Sequence, residues 1–333
     1  MILKYSEAVK YMRTIAILKE CTKDEKAMIL SACTSEDRVL FFDSEEAMLQ
    51  SGHREDIEVI FGEPEVSAVN SLPALRWVQM SWAGANKYTS DPAYPAHVRL
   101  TSASGAFGGV ISEHIIAGVL ALYKNLRAYE SQLKNGGWQL LSGDESLEGK
   151  RALVLGVGDI GSHTAKKLKA FGASTTGICR TERDRLPEGF DMCCTLSGLD
   201  EQLKTADLVI STLPGTPLTR RLLDRERIAK IQPNAIVVNV GRGFVIDTEA
   251  LTQALQTGRL KGAVLDVTDP EPLPKEHPLR SMSNVILTPH VSGISWGENV
   301  CTRKKIIGIF ADNIKKDAQN APLSHLIDLT EGY

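Results

Sequence analysis

The chain has 333 residues, with 38 Lys and Arg against 41 Asp and Glu, a formal charge of −3. At 43% apolar and 24% charged residues it has ordinary globular composition, and at roughly 100–200 residues per domain its length suits two domains. The near-neutral balance argues against a dedicated nucleic-acid binder and against a charged interaction tail.

The first third alternates short β-rich runs (TIAIL, RVLFF, IEVIF and LRWVQM) with segments patterned as short helices, TKDEKAMILSAC and SEEAMLQSG. Their Thr or Ser starts, acidic first turns and i/i+4 apolar spacing suit helices, and the alternation implies a parallel sheet. Ser112 to Leu133 reads as one long buried helix, and KNGGWQLLSGDESLEGK as a Gly-rich connector or arm. A second α/β series begins at Arg151, with strands RALVLG, STTGIC, ADLVIST, NAIVVNVG, GAVLDV and NVILTP. Short continuous apolar runs of this kind belong to strands covered on both faces. SHTAKKLKAFG and TEALTQALQTGRL read as helices between them, and ENVCTRKKIIGIFADNIKKDAQ as a closing helix. The expected architecture is therefore α/β: two Rossmann-like or flavodoxin-like domains with parallel sheets. Residues 115–295 would form a nucleotide-binding domain inserted between 1–114 and 296–333, with the active site in the cleft between domains and cleft closure excluding water.

The most specific motif is LVLGVGDIGSHTAKKLKAFG, in which Gly156, Gly158 and Gly161 form G-x-G-x-x-G between a strand and a helix. The first Gly makes the tight turn, the second admits a pyrophosphate, and the third lets helix and strand pack. The helix start supplies amide donors, including those of Asp159 and Ile160, and a positive dipole. Some 20 residues further on, NAD enzymes place a carboxylate at the next strand end for the ribose 2′-hydroxyl. Here that strand ends in Arg180, Thr181, Glu182 and Arg183. A guanidinium can hold a 2′-phosphate that a carboxylate would repel, so NADP(H) is favoured and NAD(H) stays possible. The alternative is that Arg180 and Arg183 are solvated and Glu182 takes the ribose.

Three further polar residues follow strands: Arg242 in NVGRGFVID, Glu271 in GAVLDVTDPEPLP and His290 in VILTPHVSG. Ligands of an open parallel sheet bind outside the carboxyl ends of its strands, so the three should gather near a bound nicotinamide. Reducing a 2-keto acid requires a hydride at the keto carbon and a proton on the forming alkoxide. His is the natural proton donor near neutrality, and a Glu bonded to the imidazolium favours and orients it. Arg stays charged and can clamp a carboxylate while polarising the carbonyl. On this reading His290 is the acid/base, Glu271 its partner and Arg242 the substrate clamp. Singly, each also has a bland structural explanation.

The segments LEGKRALVLGVGDIG, STLPGTPLTRRLLDRERIAKIQPNAIVVNVGRG, LDVTDPEPLP, NVILTPHVSG and VQMSWAGAN together resemble the D-isomer-specific 2-hydroxyacid dehydrogenase family over most of the chain. The resemblance implies catalytic roles for Arg242, Glu271 and His290. It implies cofactor contacts at 156–161, Leu213, Pro214, Val240, Arg242 and Asp266. It implies a substrate loop at Ala83 and Gly84, beside Trp82, whose amides hold the substrate carboxylate together with Arg242 and His290. Glu271 separates the chain from formate dehydrogenases, which carry Gln there. Arg180 resembles NADP-using glyoxylate/hydroxypyruvate reductase-like members. Asn86 stands where the family often has Asp. NGGWQLL resembles the dimer arm of hydroxypyruvate reductases, implying a homodimer; Trp138 either reaches the partner's active site or packs within the arm.

The remaining signals are bland. His114 lies in the long apolar stretch and reads as packed against the core, and His163 as lining the helix start; His53, His97, His277 and His325 have no partner motif. The six Cys contain no CxxC pair, so no metal site or disulfide framework is implied; free thiols, with no apolar run approaching the roughly 18–20 residues of a membrane span and no signal-peptide core, suit the cytoplasm. The expected activity is NADP(H)-dependent reduction of glyoxylate, hydroxypyruvate or a related keto acid, with no nucleic-acid or membrane partner. Two alternatives come with the family: a cofactor-sensing corepressor, which tends to carry a longer terminal tail, and a phosphoglycerate dehydrogenase, which often carries a further regulatory domain.

Overall fold

The computed structural model describes residues 13–182, 184–293 and 299–332. In chain order it contains β1 (Arg13–Ile17), α1 (Lys23–Ala32), β2 (Asp37–Phe41), α2 (Glu45–Leu49), β3 (Ile57–Phe61), α3 (Val66–Asn70), β4 (Trp77–Gln79), α4 (Asn86–Thr89) and β5 (Arg99–Thr101). There follow α5 (Gly108–Tyr123), α6 (Leu126–Lys134), β6 (Arg151–Leu155), α7 (Asp159–Ala170), β7 (Ser174–Cys179), β8 (Met192–Thr195), α8 (Leu199–Leu203) and β9 (Leu208–Ser211). The series closes with α9 (Arg225–Lys230), β10 (Ile236–Asn239), α10 (Thr248–Gln256), β11 (Gly262–Leu265), β12 (Val285–Leu287) and α11 (Val300–Ala318).

Two compact units result, one from residues up to Ala106 together with Asn299 onward, the other from Phe107 to Glu298. The first holds a parallel sheet in the order β2-β1-β3-β4-β5. Its strands begin in response to local sequence: Thr22 caps α1 in a reciprocal capping box with Glu25, and the apolar run of β1 is wholly buried. The C-terminal helix α11 belongs to this unit because it supplies part of its core and its buried charge. Phe310 stacks on Phe61 with ring centroids 4.5 Å apart. Asp317, with a side chain only 2% exposed, accepts two bonds from Arg76 at 2.8 Å, one from Arg99 at 2.8 Å and one from Arg13 at 3.1 Å. Burial by itself would push this carboxyl up, but the bonds from Arg76, Arg99 and Arg13 outweigh it and hold the group far below its ordinary 3.8.

The second unit holds a seven-stranded parallel sheet in the order β12-β11-β10-β9-β6-β7-β8. From β6 the chain runs outward through β7 to β8, then crosses back to β9, so the strand order reverses between β6 and β9. That reversal leaves a crevice at the carboxyl ends of these two strands. One continuous core, from Leu153 and Val209 to Leu251 and Leu279, backs the sheet.

The structure corrects several expectations. The 112–133 helix starts earlier, at Gly108, and is broken: Asn125 adopts the left-handed conformation (φ 52°), a geometry Asn tolerates, and a second helix, α6, begins after it. No residue of α6 is buried, so the segment is not one buried helix. The boundaries also move from 114/115 and 295/296 to 106/107 and 298/299. The earlier cut would sever α5, which packs within the second unit: Lys167 of α7 reaches Ser112 Oγ at 2.7 Å, and a Cβ on Gly118 would lie 2.6 Å from Val264 of β11. Residues 294–298, which the closing helix was expected to include in part, lie outside the described residues. Strands β5 and β8 are additional; β8 carries Cys193 and Cys194, both half-buried free thiols.

Removing the buried charge of Asp317 would take a carboxylate partner from three guanidinium groups, of which Arg13 keeps Asp37 and Arg76 keeps Glu58. Asp317→Asn should therefore lower unfolding free energy by about 3 kcal/mol in urea titration. Since the folded-state value lies below the unfolded one, this stabilisation is complete above pH ~4 and is lost as pH falls further. The variant should accordingly show a shallower loss of stability on acidification than the parent.

Candidate active site

The glycine turn sits at the reversal point of the seven-stranded sheet. Gly156, the residue after β6, has φ +101°, which residues bearing a Cβ rarely adopt. Gly161, in the first turn of α7, lies so close to the turn that an added Cβ would be 2.0 Å from Gly156 O. Gly158 is different: a Cβ there would meet nothing within 4 Å. It caps α7 without a side-chain bond, leaving first-turn amides facing that open space. A pyrophosphate fits such a cradle, held by backbone donors and the helix dipole. The Asp159 carboxylate accepts from Gly108 N at 2.7 Å and lies 3.5 Å from His163 Nε2, tying the start of α7 to that of α5. Ile160 contributes backbone only to this turn, its carbonyl accepting from Thr164 Oγ1 at 2.8 Å.

The neighbouring strand ends complete the edge. Thr212, after β9, donates to the carbonyls of Leu155 and Gly156, and the Leu213–Pro214 turn packs directly on Gly241. Val240 is buried. Arg242 follows β10 in a turn held by Asn239 Nδ2, which donates to Arg242 O at 2.9 Å, and its own Nη1 donates to Gly241 O at 2.7 Å. Burial lowers the affinity of this guanidinium for its proton, and the charge of Glu271 opposes that effect. At the end of β7, Arg180 and Thr181 are exposed; Arg183 lies outside the described residues.

His290 Nδ1 lies 2.7 Å from Glu271 Oε1, and both side chains are about half exposed. A carboxylate only accepts, so Nδ1 carries the proton in this bond and Nε2 is left to exchange one. His290 has φ +56°, and the residues around it show why it stays there. Its amide donates to Asp266 O at 2.8 Å. Asp266 Oδ1 accepts from Thr288 Oγ1 at 2.6 Å and Val291 N at 2.8 Å. Its Oδ2 accepts from Ser292 N at 3.0 Å and from Ser292 Oγ. Burial would raise this carboxyl, but the bonds from Ser292, Thr288 and Val291 outweigh it and hold it below the ordinary range.

These bonds give Asp266 a role in holding the loop. All of its roughly four acceptor positions are filled from within the chain, and it is 1% exposed. It anchors the loop carrying His290. Thr288, Ser292 and Asn239 were not singled out in the sequence, although hydroxyls flanking His290 in LTPHVSG were the available signal. Ala83 and Gly84 lie in the other unit, in the loop after β4. That loop is held by Glu63, which accepts from Ser81 N at 2.6 Å and Ser81 Oγ at 2.8 Å; Trp82 beside it is 46% exposed. Among the described residues no cluster of His, Cys, Asp and Glu could hold a metal ion. Nor is any described helix long and apolar enough to cross a membrane.

The family model for the NAD-binding domain of D-isomer specific 2-hydroxyacid dehydrogenases matches residues 116–292, more than half of the chain. The chain belongs to this family. It is therefore a D-2-hydroxyacid dehydrogenase with a nicotinamide cofactor, an oxidoreductase acting on CH–OH groups. It is 30% identical over 234 residues to glyoxylate reductase of Thermofilum pendens, covering 68% of each chain. A D-isomer specific 2-hydroxyacid dehydrogenase family protein from Aeromonas salmonicida superposes with TM-score 0.83 at 32% identity, over 95% of this chain and 99% of that one. An NADPH-dependent glyoxylate/hydroxypyruvate reductase from Sinorhizobium meliloti, solved with NADP and sulfate, superposes with TM-score 0.80 at 26% identity, over 96% and 100%. The parallel-sheet α/β fold expected from the strand pattern is the fold of these dehydrogenases.

The open space at Gly158 makes a separable prediction. Gly158→Ala should fold with an unchanged melting temperature, because the added Cβ meets no protein atom within 4 Å. It should weaken dinucleotide binding at least tenfold in a fluorescence titration, because the side chain fills the cradle.

Proposed function

We propose that this dehydrogenase reduces small 2-keto acids, glyoxylate or hydroxypyruvate among them, with NADP(H) preferred over NAD(H). The observation that carries the reading is the His290–Glu271 pair at 2.7 Å, set on the same sheet edge as Arg242 and the glycine turn. The bound nicotinamide supplies the hydride. His290 donates a proton from Nε2 to the alkoxide oxygen, so one hydride and one proton convert C=O to CH–OH. Glu271 holds the ring by Nδ1 and fixes its orientation. Arg242 clamps the substrate carboxylate and polarises the keto group.

The cofactor preference rests on Arg180 and Thr181 at the end of β7, where a guanidinium favours a 2′-phosphate. The NADP bound in the Sinorhizobium meliloti structure accords with it. A homodimer accords with the arm after α6, which leaves Trp138 87% and Leu140 92% exposed in the single chain.

A keto-acid panel that includes glyoxylate, hydroxypyruvate, its phosphorylated form and phenylpyruvate, assayed with NADPH and NADH, tests the reading. Turnover should be highest with a small unphosphorylated keto acid and NADPH; a clear NADH preference would remove the role of Arg180. Arg180→Asp should shift preference toward NADH. His290→Ala should lower kcat by about 10²–10⁴ while NADPH binding stays within twofold, and full activity in that variant would refute the mechanism.

A further inference from the structure

We infer that His114, on α5, is a positioning residue that keeps His290 in its working conformation through Thr288 and Asp266. The inference rests on the reading of His290 as the proton donor. His114 Nε2 lies 3.2 Å from Thr288 Oγ1, which in turn lies 2.6 Å from Asp266 Oδ1. The direction of these bonds follows from the groups involved. A buried, ionised Asp266 can only accept, so the single hydroxyl proton of Thr288 points at it. The remaining lone pairs of Thr288 Oγ1 then face His114, which must donate from Nε2. The result is one chain of bonds: His114 Nε2–H to Thr288 Oγ1, Thr288 Oγ1–H to Asp266 Oδ1, and Val291 N–H to that same oxygen.

His290 lies between Thr288 and Val291, the two residues tied to Asp266 Oδ1. Its φ of +56° is disfavoured for a residue with a Cβ and persists only where the surroundings over-determine it. Fixing the Thr288 rotor fixes one of those surroundings. The reach of His114 is itself built: one helical turn further on, Gly118 lets α5 approach Val264, two residues before Asp266 (its Cβ would lie 2.6 Å from Val264 Cγ1). A His that merely filled space at this position would need no donor facing a hydroxyl.

The test compares His114→Leu with His114→Gln, whose amide N–H can stand where Nε2–H stands. Two readouts are taken: steady-state kinetics with NADPH and the preferred keto acid, and hydrogen exchange of the amides of His290, Val291 and Ser292. His114→Leu should lower kcat about five- to twentyfold, since small misplacement of a reacting group is costly. The keto-acid KM and the NADPH affinity should stay within about twofold, and the three amides should exchange at least about fivefold faster. His114→Gln should return both readouts to near the parent values. Thr288→Val, which also removes the bond to Asp266, should be at least as impaired as His114→Leu, and the double variant should be no worse than Thr288→Val alone. The inference is overturned if His114→Leu leaves kcat and exchange unchanged, if Gln is as poor as Leu, or if the two losses multiply. Should the parent enzyme reduce no keto acid at all, the reading of His290 fails, while the exchange comparison still decides whether His114 holds the loop.

Discussion

The site depends on one constraint, the parallel alignment of seven strands. In such a sheet every carboxyl end lies on the same edge, and the polar loops follow the strands there. The glycine turn after β6, the Leu213–Pro214 turn after β9, Arg242 after β10, Asp266 after β11 and His290 after β12 are therefore neighbours in space, although they span 135 positions of sequence, from 156 to 290. Backbone pairing does the gathering. The register of β10 with β9 and β11, Asn239 opposite Ser211 and Leu265, sets how far each loop projects.

Within that frame the charge of Asp266 is the point on which the catalytic geometry turns. A buried carboxylate is costly unless its lone pairs are used. Here they are used by Thr288, Val291 and Ser292, the residues around His290. The requirement to satisfy the buried anion and the requirement to hold a left-handed residue are met by the same bonds. The His290–Glu271 pair works in the opposite environment. It is half exposed, which suits the proton exchange proposed for His290.

Legibility in the sequence followed how local the physics is. The G-x-G-x-x-G turn needs no side chain at three close positions, for reasons seen at Gly156, Gly158 and Gly161, so spacing alone exposed it. The buried strands were readable because burial on both faces leaves continuous apolar runs. The break at Asn125 was not, since the apolar pattern continues across it and only a single left-handed residue separates the helices. The short edge strand Met192–Thr195 was missed because it is a four-residue run of half-exposed residues with no apolar periodicity. Asp266 was placed by family resemblance as a cofactor contact, and the bonds it accepts from Thr288, Val291 and Ser292 became visible only in the folded chain. His114 read as core packing because its partner, Thr288, is 174 residues away.

The sequence by itself determined the α/β class and marked the glycine turn and the candidates Arg242, Glu271 and His290. These rest on hydrophobic period, on glycine placement and on the chemistry of side chains, all properties of residues close in the chain. Tertiary structure alone decided which contacts tie α11 to the first sheet, those of Asp317 and Phe310. It alone decided where the units divide, and which way Asp266 and His114 face. Those outcomes depend on how distant buried polar groups find partners, and the direction of such a bond is fixed only when both ends are in place.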